Sequence, residues 1–318
     1  MIKVQNLSKV FGAKHAVDDI SFSVERGEVL GFLGPNGAGK STTMRMITGF
    51  IPPSAGKVSV GGFDIVDSPI PAKRLIGYLP ENAPAYTDMT VHGFLSFAAE
   101  IRGLRGDAKK SAVHRAVETC FLEGVLHQSV DTLSKGYRHR TCFAQSIIHD
   151  PDVLILDEPT DGLDPNQKHE VRTLIRKMGE KKAIIFSTHI LEEVDAACSR
   201  AIIIDRGKIV ANGTPQQLRE KSDAAGAVSL RVSGVNGAQV SQRLAQVPMV
   251  KRTVIVREEA AGVIVRVFPK PEANGALAQS VAEAARDWRI LELHTEEGRL
   301  DDFFRSITMP DTAKEKTK

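Results

Sequence analysis

Gly34-Pro35-Asn36-Gly37-Ala38-Gly39-Lys40-Ser41 has the spacing G-x-x-x-x-G-K-[ST], set between an apolar run ending at Leu33 and a helix-like run to about Thr48. Glycines let such a loop turn successive N–H groups toward phosphate oxygens. Lys40 can reach the β- and γ-phosphates, the Ser41 hydroxyl suits Mg²⁺, and Thr42 offers a further phosphate contact. A second candidate lies over a hundred residues on. Val153-Leu154-Ile155-Leu156 is a continuous apolar run, as expected of a strand buried on both faces of a parallel sheet. It ends in Asp157-Glu158, and Pro159 bars its continuation. Carboxylates at the carboxyl end of such a strand lie where these sheets bind ligands. There Asp157 can hold Mg²⁺ and Glu158 can orient and deprotonate an attacking water. An Asp-Glu pair alone commonly marks no more than a strand emerging into solvent; the phosphate loop gives this one its meaning.

Two helix starts flank the pair. Ser134 is a good N-cap, and the free N–H groups and dipole end behind it form a ready anion site, although alone it would read as an ordinary capped helix. Asp164-Pro165 combines an N-cap with proline at the first helical position. The tight connection Asp161-Gly162-Leu163 then holds Asp164 beside the carboxylates. Ala183–Thr188 reads as another buried parallel strand, ending at His189. A single histidine at a strand end is usually a satisfied hydrogen-bond partner; on the sheet edge shared with Lys40 and Glu158 it becomes a sensor of the γ-phosphate. Phe11, in the connection Val10-Phe11-Gly12, is placed either to stack on a purine base or to fill a core.

The elements around these residues alternate between strand and helix. Strand pieces are expected at Ile2–Val4, Ala16–Val17, Ile20–Val24, Val29–Leu33, Val58–Val60 and Leu75–Leu79. The segment Pro80-Glu81-Asn82-Ala83-Pro84 breaks regularity. Helical spacing over His92–Ile101 and Lys109–Leu122 marks an insertion, about 82–150, between the phosphate loop and the carboxylate strand. A hairpin turns at Arg206-Gly207, and a break at Ser222–Gly226 suggests that one domain covers 1–221. Beyond it the order strand, helix, strand, strand, helix (Ala276–Trp288), strand suggests a small ferredoxin-like α+β domain over 222–309. Leu300, Phe303, Phe304 and Ile307 share a helix face suited to a core or a partner, and 310–318 is a polar tail.

Composition narrows the class. The 318 residues, 42% hydrophobic and 25% charged, are those of an ordinary globular chain of about two domains. No apolar run reaches the roughly 18–20 residues that cross a bilayer, and residues 1–12 lack the apolar core of a signal peptide. Cys120, Cys142 and Cys198 are far apart with no CxxC spacing, which points to reduced thiols in the cytoplasm. A net charge of +3 is too small to argue for a nucleic-acid partner.

With these residues in place, 1–220 resembles the ATP-binding subunit of an ABC transporter over the whole of that domain. Gly34–Thr42 is similar to the family's Walker A loop, and Val153–Glu158 to its Walker B strand with the catalytic glutamate. Leu163-Asp164 resembles the D-loop end, His189 the switch histidine, and Phe11 the adenine-stacking position. Leu133-Ser134-Lys135-Gly136-Tyr137 stands where the family has LSGGQ; it keeps Ser134 and Gly136 and departs at Lys135 and Tyr137. Glu81 stands at the Q-loop glutamine, where a carboxylate can bind Mg²⁺ or water. The resemblance implies a P-loop ATPase core with a helical subdomain, binding ATP and Mg²⁺. It further implies a head-to-tail dimer, identical or mixed, with nucleotides sandwiched between subunits, and a separate membrane permease gripped by the helical insertion and the loop at Glu81. It places the chain in the cytoplasm on the inner face of the cell membrane. The run 149–172 and the C-terminal domain resemble those of exporter-type subunits for gliding motility, multidrug or polysaccharide export. Two other readings compete. A soluble ABC-type ATPase acting on DNA or ribosomes usually carries zinc insertions, long coiled coils or two ATPase cores, which this chain lacks. A small P-loop kinase or GTPase would lack the stretch at Ser134 and the Asp157-Glu158 pair.

Overall fold

A computed structural model gives the fold, with residues 1–82, 84–259, 261–273 and 275–308 described; Ala83 and the tail expected over 310–318 lie outside them. The chain divides into two compact units, Met1–Pro215 and Gln216–Lys318. In the first, β1 (Ile2–Phe11), β2 (Lys14–Val24) and β3 (Val29–Leu33) lead into α1 (Lys40–Ile47), followed by β4 (Ala55–Val60), β5 (Phe63–Asp64), α2 (Pro69–Arg74) and β6 (Ile76–Leu79). Three helices, α3 (Val91–Ile101), α4 (Gly106–Thr119) and α5 (Lys135–Ile147), fill the interval before β7 (Val153–Asp157). Then come α6 (Pro165–Gly179), β8 (Ala183–Thr188), α7 (Leu191–Ala197), β9 (Arg200–Asp205) and β10 (Lys208–Gly213), with α8 (Pro215–Glu220) at the boundary.

The central sheet has the order β10-β9-β3-β8-β7-β6, parallel except for the β10 edge. Every residue of β3, β7 and β8 is buried, because the sheet is covered on both faces. The strand period of two divides β7 between two cores. Val153 and Ile155 face the antiparallel sheet β2-β1-β4-β5 and α1, among Ile2, Phe22 and Met44. Leu154 and Leu156 face the helical layer, among Leu95 of α3, Phe143 of α5 and Ile175 of α6. Register then sets the site: Leu33 pairs with Thr188, and Asp157 with Ser187, so the ends of β3, β8 and β7 lie flush.

The second unit contains β11 (Val228–Ser233), α9 (Gly237–Ala245), β12 (Val250–Glu259), β13 (Gly262–Pro269), α10 (Leu277–Ala284), β14 (Arg289–Thr295) and α11 (Leu300–Ile307). Its antiparallel sheet, β12-β13-β11-β14, has the strand order of a ferredoxin-like sandwich. Val228, Leu230 and Val232 pack on one face with Val240 and Leu244 of α9 and Val281 of α10. On α11, Leu300 and Phe303 are buried.

Three sequence expectations shift. Val10 and Phe11 end β1, with Phe11 opposite Lys14, instead of lying in a connection. The helix expected over Ala276–Trp288 stops at Ala284; Arg286 and Trp288 bond back to Glu283 and Ala285 in tight turns that feed β14. The units divide at Pro215 instead of after residue 221, because α8 packs within the second unit: a Cβ on Gly298 would collide with the Arg219 carbonyl.

Gly77 on β6 marks the closest approach of the central sheet to α5. A Cβ there would run into the Ser146 carbonyl oxygen and come within 2.7 Å of Leu154 and 2.8 Å of Pro151. Gly77→Ala should therefore cost about 1–3 kcal/mol through overpacking, read as a lower denaturant midpoint; an unchanged midpoint would contradict this packing.

Candidate functional site

The loop Gly34–Gly39 joins β3 to α1. Gly37 and Gly39 adopt φ of 79° and 112°, the left-handed region that glycine enters without strain. Gly39 is the N-cap of α1 and offers no side chain to its first N–H groups, which remain available to an anion. Close approach also demands glycine here: a Cβ on Gly39 would lie 2.5 Å from the Ala16 carbonyl. Lys40 is buried, its ammonium donating to the carbonyls of Gly34 at 2.8 Å and Pro35 at 3.3 Å and standing 3.6 Å from Glu158 Oε1. A cleft of about 270 Å³ opens beside it, lined by Lys14, Ala16, Asn36, Gly37, Gly39, Lys40, Ser41, Thr42, Glu81 and Glu158. Gly34, Pro35 and Ala38 form the base of the loop, Ala38 accepting from Gly207 N at 2.8 Å.

The acidic pair is asymmetric. Asp157 is 1% exposed; its Oδ1 accepts from Ser187 Oγ at 2.5 Å and from Ser41 Oγ at 3.2 Å. Its Oδ2 is buried with no hydrogen-bond partner. An unpaired buried carboxylate oxygen is costly, and a divalent cation beside Ser41 is the ligand that would satisfy it. Among the described residues no group of three or more His, Cys, Asp or Glu could hold a metal. Mg²⁺ at nucleotides takes one or two carboxylates together with the substrate's phosphates, so Asp157 and Ser41 are a donor set that would fit it.

Glu158 sits at φ 51°, a left-handed conformation that costs a non-glycine residue about 1–3 kcal/mol. Its N–H donates to the Ser187 carbonyl at 3.2 Å and to Ser187 Oγ at 3.1 Å, and its Oε2 lies 3.0 Å from His189 Nδ1. Burial pushes its carboxyl above the usual range, against the pull of Lys40 and His189. A carboxylate raised in this way is the better proton acceptor.

Ser134, Gly136, Asp164 and Phe11 do not line this cleft. Ser134 is exposed at the start of α5, its Oγ accepting from Tyr137 N at 3.3 Å. Gly136 abuts α6, where a Cβ would come 2.5 Å from Gln167 Oε1, and Gln167 forms a capping box with Asp164. Lys135 pairs with Asp161 at 3.0 Å, and Tyr137 carries the Arg140 guanidinium 5.8 Å above its ring. The start of α5 and the segment 161–167 thus make one surface. Phe11 is 51% exposed, with the Lys9 ammonium 5.1 Å from its ring.

Sequence reasoning missed Ser187, which holds both Asp157 and the Glu158 N–H. It also missed Glu193, whose carboxylate receives the hydroxyls of Thr160 and Thr188. The role of Ser187 follows from the pairing of β7 with β8, which the sequence does not show. For Glu193 there was no signal beyond an acidic residue in a first helical turn.

A glycine-rich loop capping a helix and an acidic strand end on the same edge of a parallel sheet define a P-loop nucleotide hydrolase. The family model described as "ABC transporter" matches residues 17–161. The chain is 37% identical to the linearmycin resistance ATP-binding protein LnrL of Bacillus subtilis (strain 168) over 240 residues, 75% of this chain and 77% of that protein. It is 35% identical to the Nod factor export ATP-binding protein I of Burkholderia pseudomallei (strain 1710b) over 258 residues, 81% of this chain and 84% of that one. A solved structure described as the ATP binding subunit of an ABC transporter superposes with a TM-score of 0.64 at 30% identity, covering 70% of this chain and 92% of the other. The chain belongs to the ABC transporter family, as one of its ATP-binding, ATP-hydrolysing subunits.

The raised Glu158 carboxyl has a measurable consequence. Protonation of such a group favours the folded state below its ordinary value of 4.5, and the benefit is lost as pH rises through the raised value. Glu158→Gln, which carries no charge to bury, should be more heat-stable than the parent near about pH 7.5 and indistinguishable from it below about pH 4.5. A gain that persisted undiminished in acid would contradict a burial cost on this carboxylate.

Proposed function

We propose that the chain hydrolyses ATP in a head-to-tail dimer and thereby powers a separate membrane permease from the cytoplasmic face, in the direction of export. Lys40 and the N–H groups of the Gly34–Gly39 loop hold the β- and γ-phosphates, with Thr42 at the loop's end. Glu158 orients the attacking water and takes its proton as the oxygen attacks the γ-phosphorus, the ADP oxygen leaving opposite. His189, hydrogen-bonded to Glu158, faces the γ-phosphate, and Phe11 offers its ring to the adenine. Ser41 and Asp157 would hold Mg²⁺, with Glu81 lining the same cleft, where the ion would neutralise charge on the phosphates.

The observation that carries the dimer is the split of the site. Ser134, Gly136 and Asp164 are built like a nucleotide-facing edge, with a capped helix N-terminus at Ser134, yet they lie outside the cleft that holds Lys40 and Glu158. A second copy, turned head to tail, brings its α5 start to the open side of the cleft and cancels phosphate charge that one surface cannot enclose. The permease reading rests on a groove of about 850 Å³ whose lining includes Phe50, Ile70, Arg74, Ile101, Arg102 and His149. Phe50, Ile70 and Ile101 are 72%, 66% and 67% exposed, more apolar surface than isolated side chains explain. Export is the direction named for the Nod factor relative.

Mixing inactive variants tests the split site. Ser134→Ala and Lys40→Ala chains should each lose ATPase activity and recover part of it when combined, since a mixed dimer keeps one intact composite site; no recovery would refute assembly in trans. For the permease, Phe50→Asp with Ile101→Asp should abolish co-purification of a hydrophobic membrane subunit while leaving ATP binding intact. Unchanged recovery of that subunit would exclude the groove.

A further inference from the structure

We infer that Glu193, on the first turn of α7, is a positioning residue for hydrolysis: it ties the turn after Glu158 to the strand end before His189. The inference rests on the proposed role of Glu158 as base. Glu193 is 1% exposed. One carboxylate oxygen receives the Thr160 hydroxyl in a short hydrogen bond, and the other receives the Thr188 hydroxyl at 2.6 Å. Thr188 Oγ1 in turn accepts from Ile190 N at 3.0 Å. Thr160 stands two residues after Glu158, and Thr188 stands immediately before His189. The two segments that meet through Glu158 and His189 are thus joined a second time, from behind, by a carboxylate that touches neither.

Energetics favour function over packing as the reason for this arrangement. Among the described residues the partners of the Glu193 carboxyl are the Thr160 and Thr188 hydroxyls, with no cation among them. Its buried carboxyl group is held by the hydroxyls of Thr160 and Thr188, where an apolar side chain of similar volume would fill the space without needing partners. Glu158 needs such support. It occupies a left-handed backbone conformation, which persists only where its surroundings over-determine it. The Asp161 N–H bonds back to the Glu158 carbonyl at 3.1 Å, so Thr160 lies inside the turn that fixes this conformation. Releasing Thr160 from Glu193 frees the turn, and the Glu158 carboxylate moves off His189 and into water.

The experiment compares ATP hydrolysis by the purified full chain and by Glu193→Ala, Glu193→Gln and Thr160→Val. Glu193→Ala should lower kcat by about 10²-fold, the cost of a misplacement of about 1 Å, with the KM for ATP changed less than about threefold. Glu193→Gln, whose amide keeps one acceptor, should retain more activity. In a Glu158→Gln background, Glu193→Ala should cause no further loss. Loss of packing alone would instead add its cost to that of any other variant, whatever the state of Glu158. A wild-type kcat for Glu193→Ala, or a full additional loss on top of Glu158→Gln, would overturn the inference while leaving Glu158 as base. A wild-type rate for Glu158→Gln would instead overturn the base itself. Thr160→Val keeps the shape of the side chain and removes one of the two bonds, so it carries the same test if Glu193→Ala does not fold.

Discussion

Asp157 and Ser187 face each other across two parallel strands, and the site depends on that register. Five residues of β7 and six of β8 are buried without exception, so neither strand can slide without stranding apolar surface in water. Register places Ser187 where its hydroxyl meets Asp157 and its hydroxyl and carbonyl meet the Glu158 N–H. It also carries His189 past the strand end to the Glu158 carboxylate. Glu158 and His189, thirty-one residues apart in sequence, are therefore brought together by the register of β7 and β8.

The chemistry gathered there is poorly solvated by design. Asp157 keeps one buried oxygen without a partner, Lys40 bends back to carbonyls of its own loop, and Glu158 combines a left-handed backbone with a carboxyl that resists ionisation. The unpaired Asp157 oxygen and the Glu158 conformation each cost stability locally, and the cores on both faces of the sheet offset it. Groups fixed in this way suit a triphosphate, because dipoles already oriented spend nothing on reorganising during the reaction.

What was legible in the sequence follows from how local each interaction is. The run Gly34–Ser41 could be read directly because its glycines, lysine and serine follow one another within a single short stretch of chain. The β7 run could be read because burial on both faces leaves an unbroken apolar string. Ser187 and Glu193 were not legible, since their roles exist only once β7, β8 and α7 are assembled. The α10 boundary was misread for a different reason: Ala284, Ala285 and Trp288 continue a helical pattern that the turn into β14 overrides. Lys135, a departure from the family's pattern, acquires a partner in Asp161 that spacing alone could not supply.

The division of β7 between two cores bears on how this protein can vary over evolutionary time. Val153 and Ile155 serve one lining, Leu154 and Leu156 the other. Gaining or losing a single codon within this stretch would exchange both linings at once and carry Asp157 away from Ser187. Substitution is open to such a strand and change of length is not, so indels in its descendants must collect in the surface turns.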